Sequence, residues 1–133
     1  MGDEPGNLLF VYGTLIPTEP AWAVVAPYAV AHRPDRITGA LFDTTWGFPA
    51  LSLDPCHRHT VVPGAVIWLD PDRLDRALAE LDRYEGLAHD QYRRATVDSA
   101  AGLRCWVYEW LGPTGSFVPL PMGWADWVRR AAD

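Results

Sequence analysis

One glutamate continues the apolar stripe of a predicted helix, at a position where a carboxylate is costly. Residues 71–84 have the periodicity of an amphipathic helix that buries Leu74, Leu78 and Leu81. The same periodicity places Glu85 within about 20° of Leu74 on the helical wheel. Burial and the negative end of the helix dipole would both raise the pKa of this carboxyl group. Such a group is suited to general acid–base catalysis near neutral pH.

Structural explanations for Glu85 stand beside the catalytic one. Its side chain can bend toward solvent from a frayed last turn, or it can pair with an arginine such as Arg93 or Arg94. Charged residues are common at the edge of an apolar stripe, so the wheel alone slightly favours a structural role. Gly86 follows directly and is typical of a helix C-terminus.

A second candidate is the turn that follows the first apolar run, in the sequence FVYGTL at 10–15. A strand is expected to lead into Tyr12, and Gly13 then allows a close approach of the backbone. The backbone N–H groups from Gly13 through Thr14 to Leu15 can hold a carboxylate or a developing oxyanion. Taken alone, the four residues also fit an ordinary turn with Tyr12 packed in the core.

The sequence CHRH at 56–59 raises the question of a thiol nucleophile or a metal site. In an extended segment His57 and His59 share one side, but no third ligand follows at a suitable spacing. Cys56 and His57 are adjacent and would point apart on a strand, which argues against an activated thiol. A polar loop after Pro55 is the simpler interpretation, and we expect no bound metal.

The composition argues against several classes of function. The formal net charge of −6 disfavours a nucleic-acid partner, since phosphate binding favours a basic surface. All 11 positive residues are arginine, which excludes a Schiff-base lysine and a phosphate-loop lysine. No apolar run reaches the roughly 18–20 residues of a membrane-spanning helix, and no signal peptide is visible. We therefore expect no membrane partner and a cytoplasmic location.

The arrangement of predicted elements favours one α+β domain. Asp70 and Pro71 are a good N-cap and first residue for the helix at 71–84, and Pro63-Gly64 indicates a bulge or an edge position. The other predicted elements are strands at 7–13, 36–43, 48–54, 60–70, 92–99 and 102–111, short helices at 21–28 and 123–133, and a loop at 112–121. We expect a small, mostly antiparallel, barrel-like curved sheet with one main inserted helix and short flanking helices.

The YGTL turn at 12–15 and LDRYEG at 81–86 together resemble two signature segments of the gamma-glutamylcyclotransferase family, including its gamma-glutamylamine and antibiotic-biosynthesis branches. Softer resemblances follow in the family's order at GALFDTTWGFPAL (39–51), VPGAVIWL (62–69), YRRATV (92–97) and CWVYEW (105–110). The resemblance extends over residues 8–110. The tail at 111–133 departs from the family pattern, apart from a loose match in GWADW. Substrate specificity is therefore the property that the resemblance determines least.

The resemblance implies one gamma-glutamylcyclotransferase-like domain over residues 1–133 and a cyclisation reaction. The α-amine of a γ-glutamyl group attacks its own side-chain carbonyl, which releases 5-oxoproline and a free amine. Glu85 would be the catalytic residue that carries the proton, and neither metal nor cofactor is required. The expected substrate-binding residues are Tyr12, Gly13, Thr14, Leu15 and Tyr92. For Tyr92 the alternative is core packing with its hydroxyl on a backbone carbonyl.

A competing interpretation is a non-catalytic module on the same fold that binds an amino-acid-like ligand. Retention of both Glu85 and the YGTL turn is the feature against it. A thiol or metal enzyme centred on Cys56 is a third interpretation, and it predicts sensitivity to alkylation or to chelators. The expected partner is a small γ-glutamyl compound, while the identity of its amine and the oligomeric state stay open.

Overall fold

The computed structural model describes residues 5–13, 15–17, 19, 21–46, 48–84, 92–121 and 123–124. The strands in this part of the chain are β1 (Leu8–Val11), β2 (Ala29–Thr38), β3 (Ala40–Asp43), β4 (Pro49–Ser52), β5 (Val61–Leu69), β6 (Tyr92–Asp98), β7 (Arg104–Trp110) and β8 (Val118–Pro119). The helices are α1 (Trp22–Val25), α2 (Leu74–Tyr84) and short 3-10 turns at Ala26–Tyr28, Pro55–His57 and Pro71–Arg73. The expected α+β class is confirmed.

The strands form two sheets, and the larger one is curved and open. Its order is β2-β5-β1-β7-β6, with β1 and β7 parallel and the other neighbours antiparallel. Within the described residues β2 and β6 are its two edges, so the sheet does not close into a barrel. The smaller sheet has the order β4-β3-β8.

Both faces of β1 are buried, which explains why its sequence is a continuous apolar run. Leu9 and Val11 face a core cluster that also contains Leu78 and Leu81 of α2. Phe10 faces a second cluster that includes residues of β3 and β4. Strand β1 therefore lies between α2 and the smaller sheet, and the turn after it begins inside the fold.

The predicted main helix is confirmed, with a tighter first turn than expected. The Asp70 carboxylate accepts a hydrogen bond from the Asp72 backbone N–H at 3.0 Å, which caps the 3-10 turn that precedes α2. Leu78 and Leu81 are buried and Leu74 is half-buried, as the periodicity predicts. No helix in the described ranges is long and apolar enough to cross a membrane.

Strand β2 is the main element that sequence reasoning missed. The predicted strand at 36–43 is in fact divided at Gly39 between β2 and β3, and β2 extends back to Ala29. Most residues of β2 are exposed and they do not alternate in polarity, so no periodic pattern marks the strand. Its pairing with β5 over nearly its whole length forms it instead.

Pro63 and Gly64 lie in an interior strand. Strand β5 has β2 on one side, while its pairing with β1 ends at Ala65, so Pro63 is outside the β1 ladder. The β2–β5 register shift falls between Ala29 and Ala31 rather than at Pro63-Gly64.

The predicted loop at 112–121 contains the short strand β8. The predicted C-terminal helix falls outside the described residues beyond Trp124.

Candidate active site

The turn after β1 approaches strand β4 closely at Gly13. A Cβ atom placed on Gly13 would lie 2.6 Å from Cγ of Pro49, which is closer than packed carbon atoms come. The carbonyl of Gly13 accepts a hydrogen bond from the Ile16 N–H at 3.2 Å, and Leu15 is buried. The close approach to Pro49 therefore requires glycine at position 13. The next residue, Thr14, lies outside the described residues.

Replacing Gly13 by alanine is expected to destabilise the fold by about 1–3 kcal/mol, because the new methyl group would force Pro49 and the turn apart. Urea unfolding of the purified variant measures the change. Gly115→Ala is the matched control, since nothing lies within 4 Å of a Cβ at that position. Equal stability of the two variants would contradict the close approach at Gly13.

Tyr92 contacts the backbone of the same proline. Its hydroxyl donates a hydrogen bond to the Pro49 carbonyl at 2.7 Å. The ring is buried and makes ring contacts with Phe48 and Trp110. Two residues predicted for the site, Gly13 and Tyr92, thus contact Pro49 although 79 positions separate them. A contact between Tyr92 and substrate remains a prediction.

Tyr12 connects β1 to β7 through a hydrogen bond. Its buried hydroxyl donates to the backbone carbonyl of Tyr108 at 2.5 Å. This bond holds the last residue before Gly13 against the neighbouring strand. In this structure the bond therefore helps to place the turn, and a contact between Tyr12 and substrate is still a prediction.

The last described turn of α2 is held to the sheet by Asp82. Its carboxylate accepts hydrogen bonds from Arg94 Nη1, at 3.0 Å to each oxygen, and from the Tyr108 hydroxyl at 2.7 Å. Sequence reasoning missed Asp82, although it lies only about 40° from Leu78 on the helical wheel. That position at the border of the apolar stripe, three residues before Glu85, is the pattern that could have identified it.

Tyr108 therefore joins the two motifs of the candidate site. Its hydroxyl binds Asp82 near the end of α2, and its carbonyl binds Tyr12 at the end of β1. Tyr108 is itself buried in β7, which is parallel to β1 at the centre of the larger sheet. These two hydrogen bonds thus connect the helix end and the turn to the same strand. Glu85, the predicted catalytic residue, lies outside the described residues.

Arg93 and Arg94, which were considered as partners of Glu85, each form an ion pair with a carboxylate of a described residue. Arg94 pairs with Asp82, and its guanidinium stacks 5.0 Å from the centre of the Trp106 ring. Arg93 pairs with Glu109 at 2.9 Å, and this pair lines an open groove of about 470 Å³ along the edge strand β6. Of the predicted site residues that the structure describes, none lines that groove.

The region around Cys56 does not have the character of a thiol active site. Cys56 is exposed in the 3-10 turn Pro55–His57, and its hydrogen bond to Asp54 raises the pKa of the thiol. A catalytic thiol requires the opposite shift. Burial raises the pKa of Cys105 to about 12. Across the described ranges, no group of three or more His, Cys, Asp or Glu side chains is placed to hold a metal ion.

The raised pKa of Cys56 predicts slow alkylation. At pH 8 a higher pKa means a smaller thiolate fraction, so Cys56 should react more slowly with iodoacetamide than a free cysteine. Asp54→Asn removes the neighbouring charge and should accelerate the reaction, which mass spectrometry can follow. Buried Cys105 should be labelled only after unfolding. Rapid labelling of Cys56 in the unsubstituted protein, or loss of activity on labelling, would contradict this assignment.

Comparisons with known proteins identify the same fold over almost the whole chain. A family model described as gamma-glutamyl cyclotransferase, AIG2-like, matches residues 9–128. The similar solved structures include YkqA from Bacillus subtilis (TM-score 0.72, 22% identity), an AIG2-like protein from Mus musculus (0.70, 20%) and PH0828 from Pyrococcus horikoshii (0.67, 19%). A search of curated proteins found no match.

The extent of these structural matches differs between the relatives. The aligned region covers 95% of this chain but 42% of YkqA, so the chain spans less than half of that protein. It covers 89% of this chain and 87% of the mouse protein, and 94% of both chains for PH0828. At these identities the structures establish a shared fold.

Proposed function

Because the chain belongs to the AIG2-like gamma-glutamyl cyclotransferase family, we propose that it cyclises a γ-glutamyl amine or γ-glutamyl amino acid to 5-oxoproline and a free amine. The new C–N bond forms between the substrate's α-nitrogen and its γ-carbonyl carbon. The bond between that carbon and the amine nitrogen breaks. Water is not consumed, and the reaction needs no oxidant, metal or cofactor.

Glu85 is proposed to carry the proton. The substrate's α-amine is an ammonium group near neutral pH and must lose a proton before it can attack. Glu85 accepts this proton and later delivers it to the departing nitrogen, so one carboxyl group serves both steps. The backbone N–H groups from Gly13 to Leu15 are proposed to hold the substrate and to stabilise the tetrahedral oxyanion.

Tyr108 provides the observation that supports this proposal best. Its two hydrogen bonds hold the end of α2 and the end of β1 against one strand, and both proposed catalytic elements follow these ends directly in the chain. Intramolecular attack depends on a correctly folded substrate chain, and good alignment supplies effective molarities on the order of 10⁵ M or more. A rigid frame for the acid–base group and the oxyanion turn suits this requirement.

Direct detection of 5-oxoproline tests the proposal. The protein is incubated with γ-glutamyl conjugates of small amines, amino acids and the lysine side chain, and 5-oxoproline is quantified by mass spectrometry. Time-dependent release above the rate without protein is the expected result. Saturable ligand binding without release would favour the non-catalytic module, and release of free glutamate would indicate hydrolysis instead of cyclisation.

A further inference from the structure

Five aromatic side chains form a closed circuit of ring contacts beside Pro49, and we refer to them as the aromatic cluster. The centroid distances are 6.2 Å for Trp46–Phe48, 6.2 Å for Phe48–Tyr92, 5.2 Å for Tyr92–Trp110, 5.7 Å for Trp110–Phe117 and 5.7 Å for Phe117–Trp46. Tyr92 and Trp110 are buried, whereas Trp46 is 63% exposed. The cluster thus extends from the core to an open aromatic surface.

In the turn between β3 and β4, Trp46 follows a residue with a strained backbone, and hydrogen bonds hold this part of the turn. Thr45 has a φ of 71°, a conformation that a β-branched residue rarely adopts. The Asp43 carboxylate accepts a hydrogen bond from the Thr45 N–H at 2.8 Å, and the Thr44 hydroxyl accepts one from the Trp46 N–H at 3.2 Å. Strain of this kind persists where the surroundings over-determine it, and it is concentrated at binding and catalytic sites.

The aromatic cluster adjoins the candidate active site through Pro49. Tyr92, a member of the cluster, donates to the Pro49 carbonyl, and Gly13 packs against the ring of the same proline. A substrate held at the Gly13 turn therefore has the cluster beside it. The five side chains carry no formal charge, and the indole N–H of Trp110 donates to the Pro113 carbonyl at 3.4 Å. The surface offered by the cluster is predominantly apolar.

We propose that the exposed part of the aromatic cluster binds the amine portion of the γ-glutamyl substrate and selects a bulky apolar one, aromatic or branched aliphatic. This inference rests on the proposed function. An apolar group that leaves water and packs on Trp46 and Phe117 favours catalysis if the contact persists in the transition state. The gain or loss of an apolar group in a hydrophobic pocket changes kcat/KM by about 10–100-fold. A small amine has too little apolar surface to pack on Trp46 and Phe117, so it gains little from this contact.

The test compares γ-glutamyl-phenethylamine with γ-glutamyl-methylamine by 5-oxoproline release. In the unsubstituted protein, kcat/KM should be about 10–100-fold higher for the phenethyl substrate. Trp46→Ala should remove most of that preference by lowering kcat/KM for the phenethyl substrate far more than kcat/KM for the methyl substrate, and Trp46→Phe should restore part of it. Val30→Ala is the matched control, because Val30 is also 63% exposed but lies on β2.

The outcomes separate this inference from the proposed function. Release from γ-glutamyl-methylamine without a preference for the phenethyl substrate overturns the inference and leaves the function standing. An equal fall for both substrates in Trp46→Ala also overturns it. A preference for a γ-glutamyl conjugate of a diamine over the phenethyl substrate would assign the site to a cation instead. Absence of 5-oxoproline from every substrate overturns both proposals.

Discussion

Replacement of Glu85 by glutamine is expected to lower the rate of 5-oxoproline release by about 10²–10⁴-fold, the range for loss of a general acid–base group. Glutamine keeps the shape of the side chain but cannot accept the ammonium proton or return it to the departing amine. In the proposed mechanism the Gly13 turn still binds the substrate of this variant, so the loss should fall on kcat more than on KM. Steady-state kinetics on the best substrate of the γ-glutamyl panel measures both constants.

Glu80→Gln is the control for this experiment. It makes the same chemical change five positions earlier in the chain, within α2. Glu80 forms an ion pair with the largely exposed Arg76 at a separation of 3.8 Å. Such a pair contributes about 0.3–0.5 kcal/mol. Glutamine also keeps a side-chain oxygen that can accept the hydrogen bond of the buried Tyr28 hydroxyl, so activity and stability should change little. Full activity of Glu85→Gln would refute the proposed role. An equal loss of activity in both variants would point to a general effect of removing negative charge from this segment of the chain.

Replacement of Asp82 by alanine is expected to cost about 2–3 kcal/mol of unfolding free energy, because Arg94 and the Tyr108 hydroxyl lose their common acceptor. Arg94 is poorly placed to compensate, since the structure shows its Nε buried without a hydrogen-bond partner among the described residues. Thermal unfolding should show a decrease in Tm of about 6–12 °C.

The same variant should also lose activity at temperatures where it remains folded. Asp82 precedes Glu85 by three residues, so freeing this turn from β6 and β7 should displace the proposed acid–base group. Misplacement of a catalytic group by about 1 Å can cost on the order of 100-fold in rate. A decrease in kcat with little change in KM would be the signature of lost positioning, and it is measured well below the variant's Tm.

The Asp98–Arg104 ion pair offers a matched comparison for Asp82. It joins β6 to β7 at 3.2 Å, but its two side chains are 65% and 39% exposed. Asp98→Ala should therefore cost less than about 1 kcal/mol and leave kcat unchanged. A double-mutant cycle that combines Asp82→Ala with Arg94→Ala would give the coupling energy of the half-buried Asp82–Arg94 pair, expected at about 1–3 kcal/mol. Similar losses for Asp82→Ala and Asp98→Ala would show that Asp82 has no special role.

Local patterns in the sequence determined the elements that carry strong periodicity or clear end signals. The apolar spacing of Leu74, Leu78 and Leu81, with Asp70 as cap, predicted α2 within a single turn. The alternation at 92–99 and the run at 102–111 predicted the β6–β7 hairpin. Such elements can be predicted from sequence because their periodicity and end signals depend on residues that are close together in the chain. The family followed from two short motifs whose order along the chain is itself a sequence property.

Only the tertiary structure decided the features that depend on distant partners. Strand β2 has no periodic pattern and exists because β5 pairs with it. The bond from Tyr12 to Tyr108 spans 96 positions, that from Tyr92 to Pro49 spans 43, and that from Tyr108 to Asp82 spans 26. A linear sequence shows that these residues are present, but their meeting depends on how the sheet orders its strands. The sequence thus determined which chemical groups are present, and the packing of α2, β1 and β7 decided that Tyr12, Tyr108 and Asp82 are joined by hydrogen bonds.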